Sequence, residues 1–183
     1  MAIAKYAKTC SKNTPGNPFL AYTEVANVTS VTIAAGEITA ITAGAAAFKE
    51  FDADIDFTKM TLEGTGGSSF FQNNKIEAKF SKLSIALVTA KESLVDAVNC
   101  GALAIITDGN GQSWLVGWNE SERGTRPLNK ITANYDTGAK PSDEDTAAYL
   151  ITLEGETGYD PVPFDSTLNA TIVGGTAVFI DFN

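Results

Sequence analysis

Glu50, Asp52, Asp54 and Asp56 occupy every second position of the run Lys49-Glu50-Phe51-Asp52-Ala53-Asp54-Ile55-Asp56-Phe57. No other stretch of the chain concentrates reactive groups so regularly. Period two is the periodicity of a strand, so Phe51, Ala53, Ile55 and Phe57 fall on one face and the acids on the other. Carboxylates on one face of a strand lie about 7 Å apart and repel one another. Such a row needs water, cations, or a surface meant to hold anions away. Three readings follow: a solvated face partly neutralised by lysines, a cation site, or the wall of a channel for a polyanion. The cation reading has Asp52, Asp54, Asp56 and Glu63 at positions 1, 3, 5 and 12 of a calcium-loop pattern. Phe57 stands where that loop needs glycine for its sharp turn, and Ile55 with the phenylalanines demands a strand. No metal site is expected.

Other chemistry is sparse. The chain has no histidine, which removes the commonest general base, nucleophile activator and metal ligand. Its cysteines, Cys10 and Cys100, are in no ligand-like spacing and are expected as two lone buried thiols. Gly64-Thr65-Gly66-Gly67-Ser68-Ser69 lacks the Lys-Ser/Thr ending of a phosphate-binding loop and reads as a flexible connection. A carboxylate pair alone can hydrolyse a glycosidic bond, but nothing singles out such a pair. No enzymatic activity, catalytic residue or cofactor is expected.

Composition sets the frame for these residues. The chain has 183 residues, enough for one domain or a domain with arms that buries roughly 70% of its unfolded surface. Hydrophobic content of 44% against 19% charged residues is globular rather than disordered. The 22 Asp and Glu outnumber the 13 Lys and Arg, giving a net charge of -9. That argues against sequence-specific nucleic-acid binding, which needs a basic footprint. An acidic wall that lets nucleic acid pass without sticking remains compatible, because it repels phosphates. The start, Met1 to Lys8, lacks the apolar core of a signal peptide, and no apolar run reaches membrane-spanning length. Synthesis in the cytoplasm is expected, which makes the sequons at Asn27, Asn119 and Asn169 chance matches.

Taken in order, residues 1–27 are polar and broken by Pro15-Gly16-Asn17-Pro18, predicting an extended N-terminal arm with Tyr6, Phe19, Leu20 and Tyr22 as anchors. Val28 to Thr42 reads as a hairpin turning at Gly36-Glu37. The acidic strand follows and is expected to run on through Met60, Leu62 and Glu63, with a bulge or bend. Lys75 to Ser81 alternates again, with Ile76, Ala78 and Phe80 inward. Paired with the acidic strand, it would set Lys75 and Lys79 opposite the aspartates. Thr89 and Glu92 fit a capping box for a helix over about 89–100, whose stripe is Leu94, Val95 and Val98 and whose stop is Gly101. Leu83, Ile85 and Leu87 fit either the strand or the helix. Leu103–Thr107 and Gln112–Trp118 flank Asp108-Gly109-Asn110-Gly111 as a hairpin, with Trp114 and Trp118 on one face. Glu120–Lys130 is a polar loop. Strands are predicted at 131–135, at 148–154 and over Ile172–Ile180.

The expected fold class is therefore mainly β: a β-sandwich or partly closed barrel of antiparallel strands with one flanking α-helix at about 89–100. Residues 28–183 form a single domain ending in a C-terminal strand, with residues 1–27 as its arm.

Several segments carry a resemblance in their order along the chain. They are Phe80-Ser81-Lys82-Leu83, the helix through Leu94 and Val98, Ala104-Ile105-Ile106 with its Asp108–Gly111 turn, Trp114-Leu115-Val116-Gly117, and Tyr149-Leu150-Ile151-Thr152-Leu153-Glu154-Gly155. Over roughly residues 48–156 the chain resembles virion structural proteins of tailed phages infecting Bacteroidetes, including crAss-like phages, of the tail-tube kind. The resemblance implies a homo-oligomer, a cyclic ring or tube segment of the phage neck or tail that encloses the DNA channel. Its partners would be copies of itself, adjacent neck, tail or portal-side proteins, and DNA passing without specific binding. It would touch no membrane and would reside in the virion after synthesis in the host cytoplasm. Glu50, Asp52, Asp54 and Asp56 are then the candidate channel-lining residues. The alternative from another class is a carbohydrate- or receptor-binding β-sandwich, a surface module or head decoration using aromatics such as Trp118 and Tyr159.

Overall fold

The computed structural model describes residues 19–43, 48–51, 59–66, 71–80, 85–118, 126–136, 148–157 and 160–173. Its strands are β1 (Phe19–Glu24), β2 (Val28–Ala34), β3 (Glu37–Ala43), β4 (Lys49–Glu50), β5 (Lys59–Thr65), β6 (Phe71–Phe80), β7 (Ala102–Thr107), β8 (Ser113–Val116), β9 (Lys130–Asp136), β10 (Ala148–Thr157) and β11 (Val162–Pro163). Two helices accompany them, α1 (Ile85–Cys100) and α2 (Ser166–Val173). The strands form a five-stranded sheet in the order β11-β8-β7-β1-β4, a four-stranded sheet β5-β6-β10-β9, and the separate hairpin β2-β3. Every pairing between named strands is antiparallel. The mainly-β sandwich with a flanking helix is what the structure shows, and the described sheets are open rather than closed into a barrel.

The five-stranded sheet is the middle layer. Strand β7 is buried at every one of its six residues, the mark of a strand covered on both faces. On one face Leu20, Tyr22, Ala102, Ala104, Ile106 and Val116 pack with Ile76, Ala78, Phe80, Tyr149, Ile151 and Leu153 of the four-stranded sheet. Leu94, Ala97 and Val98 of α1 join that core. On the other face Ala21, Leu103, Ile105 and Leu115 meet Val28, Val31, Ile38 and Ile41 of the hairpin, with Phe48, Phe164 and Ile172. Tyr22, Phe51 and Phe80 link the layers edge to face, with ring centroids 5.0 and 5.7 Å apart. That is the favoured geometry for aromatic quadrupoles.

Several expectations change. Residues 19–24, read as part of an extended arm, are strand β1, held between β7 and β4 with Leu20, Ala21 and Tyr22 buried; residues 1–18 lie outside the described residues. The run 49–63 is not one strand. Lys49–Glu50 pairs with β1 in the middle layer, while Lys59–Thr65 pairs with β6 in another sheet. Lys75 lies opposite Thr61 of β5 and Glu154 of β10, and Lys79 opposite Leu150 of β10; Asp52, Asp54 and Asp56, expected across from them, lie outside the described residues.

Helix α1 begins at Ile85, a turn before the capping box, and Thr89 bonds the Ile85 carbonyl inside the helix at 3.1 Å. A threonine hydroxyl satisfies a preceding carbonyl as readily as it caps. Leu87 and Ala90 extend the apolar stripe back toward the start of the helix. Gly101 does end it, at φ 93°. A second helix was not predicted. Asp165 caps α2, its Oδ1 accepting from the amides of Thr167 and Leu168 at 3.0 and 2.8 Å. Ile172 is thus helical, and the rest of the expected terminal strand, 174–180, lies outside the described residues.

Trp114 and Trp118 do not share a face: Trp114 packs on the first core and Trp118 on the second. Gly117 at φ 93° ends β8 between them and rotates the chain. The hairpin β2-β3 turns one residue earlier than predicted, at Ala35 and Gly36, with φ 54° and 89°. Positive φ at both central residues is the turn whose twist matches paired strands.

The polar loop 120–130 hides a crossing point. Leu128 is fully buried and exchanges both backbone hydrogen bonds with Ala102 of β7, at 2.9 Å each. Two residues later the same chain enters the four-stranded sheet as β9.

Candidate functional site

Of the acidic row, Glu50 is exposed on β4, opposite Ala21; Asp52, Asp54 and Asp56 lie outside the described residues. Phe51 is buried against Tyr22 and Phe80, the inward role predicted for it. Phe48 and Phe51, three apart, reach opposite cores, so β4 is an edge gripped from both sides. Glu63, last ligand of the calcium pattern, is exposed on β5. Among the described residues no cluster of three or more metal-ligating side chains occurs.

The ordered charges sit elsewhere, on the outer face of the four-stranded sheet. Register places Lys59 opposite Glu77, and Glu154 between Lys75 and Lys130. Glu77 binds Lys59 at 2.6 Å and Lys75 at 3.1 Å, and Lys130 binds Glu154 at 2.6 Å. These lysines therefore serve glutamates of their own sheet. Sequence reasoning saw the alternation in β6 but could not choose its neighbours, because pairing between distant strands is a tertiary fact.

The hydrogen bond from Lys59, opposed by partial burial and assisted by Lys75, holds the Glu77 carboxyl below the usual glutamate range. A carboxyl depressed on folding stabilises the fold above its unfolded pKa of about 4.3 and loses that contribution as pH falls through the lower folded value. Lys59 is 63% exposed, and solvent screening limits such a pair to about 0.2–1 kcal/mol. Glu77→Gln is therefore expected to cost at most about 1 kcal/mol at pH 7, with the gap from the parent closing below pH 4. Urea titrations at both pH values check this, and a gap that persists in acid would refute the ionic account.

A cleft of ≈ 200 Å³ opens between β1, β4 and α1, lined by Tyr22, Glu24, Asn27, Lys49 and Ser93 among others. Burial pushes the Tyr22 phenol up, so it stays protonated and donates weakly to the Ala90 carbonyl at 3.4 Å. Asn27 is occupied with the Thr23 hydroxyl at 3.2 Å. Asn169 binds the Gly111 carbonyl and the Ser113 amide, tying α2 to the β7-β8 hairpin. A sequon amide held so is not free for modification; Asn119 lies outside the described residues. Cys100 is exposed at the end of α1 and free, contrary to the expected buried thiol; Cys10 lies outside the described residues.

The remaining open feature is the pair of edges of the four-stranded sheet. Strands β5 and β9, seven residues each, have no partner on their outer sides among the described residues. Neither shows a bulge or a proline. Soluble proteins commonly blunt such edges, because unpaired amides and carbonyls are templates for another strand. Tyr135 on β9 and Leu62 on β5 are also 45% and 41% exposed.

Compared with protein-family models, curated proteins and solved structures, the chain matches none. No helix among the described residues is long and apolar enough to cross a membrane.

Proposed function

We propose that this chain is a non-enzymatic, self-assembling virion subunit that forms a ring or tube segment of a phage neck or tail around the DNA channel. The observation that supports it most is the four-stranded sheet whose two edge strands, β5 and β9, have no outer partner among the described residues. In an antiparallel sheet with an even number of strands the two edges run in opposite directions. The next copy's β5 can therefore continue β9 antiparallel, and repeating that head-to-tail contact closes a ring when the rotation allows. The segments that resemble tail-tube-type subunits supply the phage context. On this reading the acidic run from Glu50 to Asp56 faces the passage, where carboxylates keep phosphates sliding. Neighbouring neck or tail proteins would stack on the ring. The binding-module alternative is weakened by Trp118, which packs toward the second core instead of standing free; Tyr159 lies outside the described residues.

Native mass measurement is expected to give one closed cyclic oligomer. Replacing Asp52, Asp54 and Asp56 with Lys is expected to leave that oligomer intact and turn it into a DNA binder whose affinity falls steeply with salt, as counterion release requires. A monomer at micromolar concentration would overturn the ring. A density map with these carboxylates on the outer wall would overturn their place in the channel.

A further inference from the structure

We propose that copies join with β9 of one molecule against β5 of the next, in the register that sets Tyr135 opposite Met60 and Asn134 opposite Thr61. This inference rests on the ring reading and specifies its interface.

Face parity comes first. In β9 the residues Lys130, Thr132 and Asn134 lie on the outer, charged face, since they align through β10 with Lys75, Glu77 and Lys79. In β5 that face carries Lys59, Thr61 and Glu63. The opposite side carries Ile131, Ala133 and Tyr135 of β9, with Met60 and Leu62 of β5. A continued sheet must bring like faces together, and a slip of one residue would send every apolar side chain to the wrong side. Only every second register remains.

Overlap and cover then choose among these. With Asn134 opposite Thr61, all seven residues of each strand find a partner, from Lys130 opposite Thr65 to Asp136 opposite Lys59. Sliding by two in either direction leaves two residues of each strand unpaired. The full register also covers both exposed apolar side chains of these edges: Tyr135 meets Met60, a thioether against an aromatic ring, and Leu62 meets Ala133. Lys130 lies diagonal to Glu63, within reach of a long side chain.

Cysteine cross-linking reads the register directly. In a background of Cys10→Ser and Cys100→Ser, the test variant carries Thr61→Cys and Asn134→Cys. These positions sit on opposite edges of one sheet, three strand spacings apart, and Thr61 is level with Lys130, four residues along β9 from Asn134; the separation of about 19 Å is too far for a disulfide within one molecule. Both side chains lie on the polar face, and a thermal melt matching the parent confirms the fold. Mild oxidation is expected to give a ladder of covalent oligomers, at least tenfold more abundant than from either single cysteine. The control pairs Thr61→Cys with Thr132→Cys, and Glu63→Cys with Asn134→Cys, report the two slipped registers and are expected to stay uncross-linked. A ladder from a control pair alone overturns the register and leaves the ring standing. Rings by native mass with no ladder from any pair overturn the edge interface. A protein that is monomeric by native mass overturns the ring reading itself.

Discussion

Replacing Phe164 with alanine is expected to lower the free energy of unfolding by about 3–5 kcal/mol, the range for deleting a buried phenylalanine side chain. Phe164 is 1% exposed and lies in the core between the middle sheet, the β2-β3 hairpin and α2. Its backbone is engaged as well. The Phe164 amide donates to Ser113 at 3.1 Å, and its carbonyl accepts from the Gln112 side chain at 2.9 Å. The next amide, Asp165, donates to Ile38 of β3 at 3.0 Å, and the Asp165 side chain then caps α2. Loss of the ring empties the place where these elements meet. A domain is stable by only about 5–15 kcal/mol, so the loss is a large fraction of the total. Urea unfolding at one fixed protein concentration, which keeps any assembly term constant, gives the number. Phe164→Leu should recover most of the loss. A change below about 1 kcal/mol for the alanine variant would show that this second layer is not a packed core, since buried Phe→Ala changes cost several times that.

The second large effect is expected where the chain passes from one sheet to the other. Leu128 is fully buried, and Gly101, Gly117 and Gly155 stand around it and Pro127. A β-carbon on Gly155 would lie 2.9 Å from the Pro127 carbonyl oxygen and 3.0 Å from Leu128 Cα, both backbone atoms that cannot swing aside. At Gly117 it would lie 3.1 Å from the Ala102 carbonyl oxygen, on a backbone already at φ 93°. Leu128→Ala is expected to cost about 2–5 kcal/mol by leaving a cavity, and Gly155→Ala about 1–3 kcal/mol by overfilling the same place. Opposite changes in volume should thus both destabilise. If Gly155→Ala were neutral or stabilising in urea unfolding, the close passage of Pro127–Leu128 over β10 would be wrong.

Much of the local structure was legible in the residues. The alternation of Ile76, Ala78 and Phe80 gave β6 its inward face, Asp108-Gly109-Asn110-Gly111 gave the β7-β8 turn, and Gly101 gave the end of α1. The unbroken apolar run Leu103-Ala104-Ile105-Ile106 reads as one strand of a hairpin, and its lack of alternation is the trace of cover on both faces that the structure shows. Helix α2 carried a readable signal in Asp165-Ser166-Thr167-Leu168, an acidic cap ahead of a short helix, but the β-branched tail that follows outweighed it. The strand at Phe19–Glu24 differs from the expected arm because Phe19-Leu20-Ala21-Tyr22 is short and preceded by prolines, and a strand in mid-sheet takes its stability from neighbours far along the chain.

What the sequence determined by itself was the set of elements and the chemistry available to them. It set a mainly-β domain, a row of carboxylates, an acidic balance and a chain without histidine, because periodicity, turn residues and composition act over a few residues at a time. Only the tertiary structure decided which strands are neighbours. It put Lys49–Glu50 and Lys59–Thr65 in two different sheets, gave Lys59 and Lys75 to Glu77 and Lys130 to Glu154, and sent Trp114 and Trp118 to different cores. It also left β5 and β9 as edges of one sheet with no outer partner among the described residues. Strand pairing joins residues tens of positions apart, and its free energy lies in backbone hydrogen bonds and packing that any well-patterned strand can supply. Local sequence therefore names the strands, and the packing of the whole chain assigns their partners.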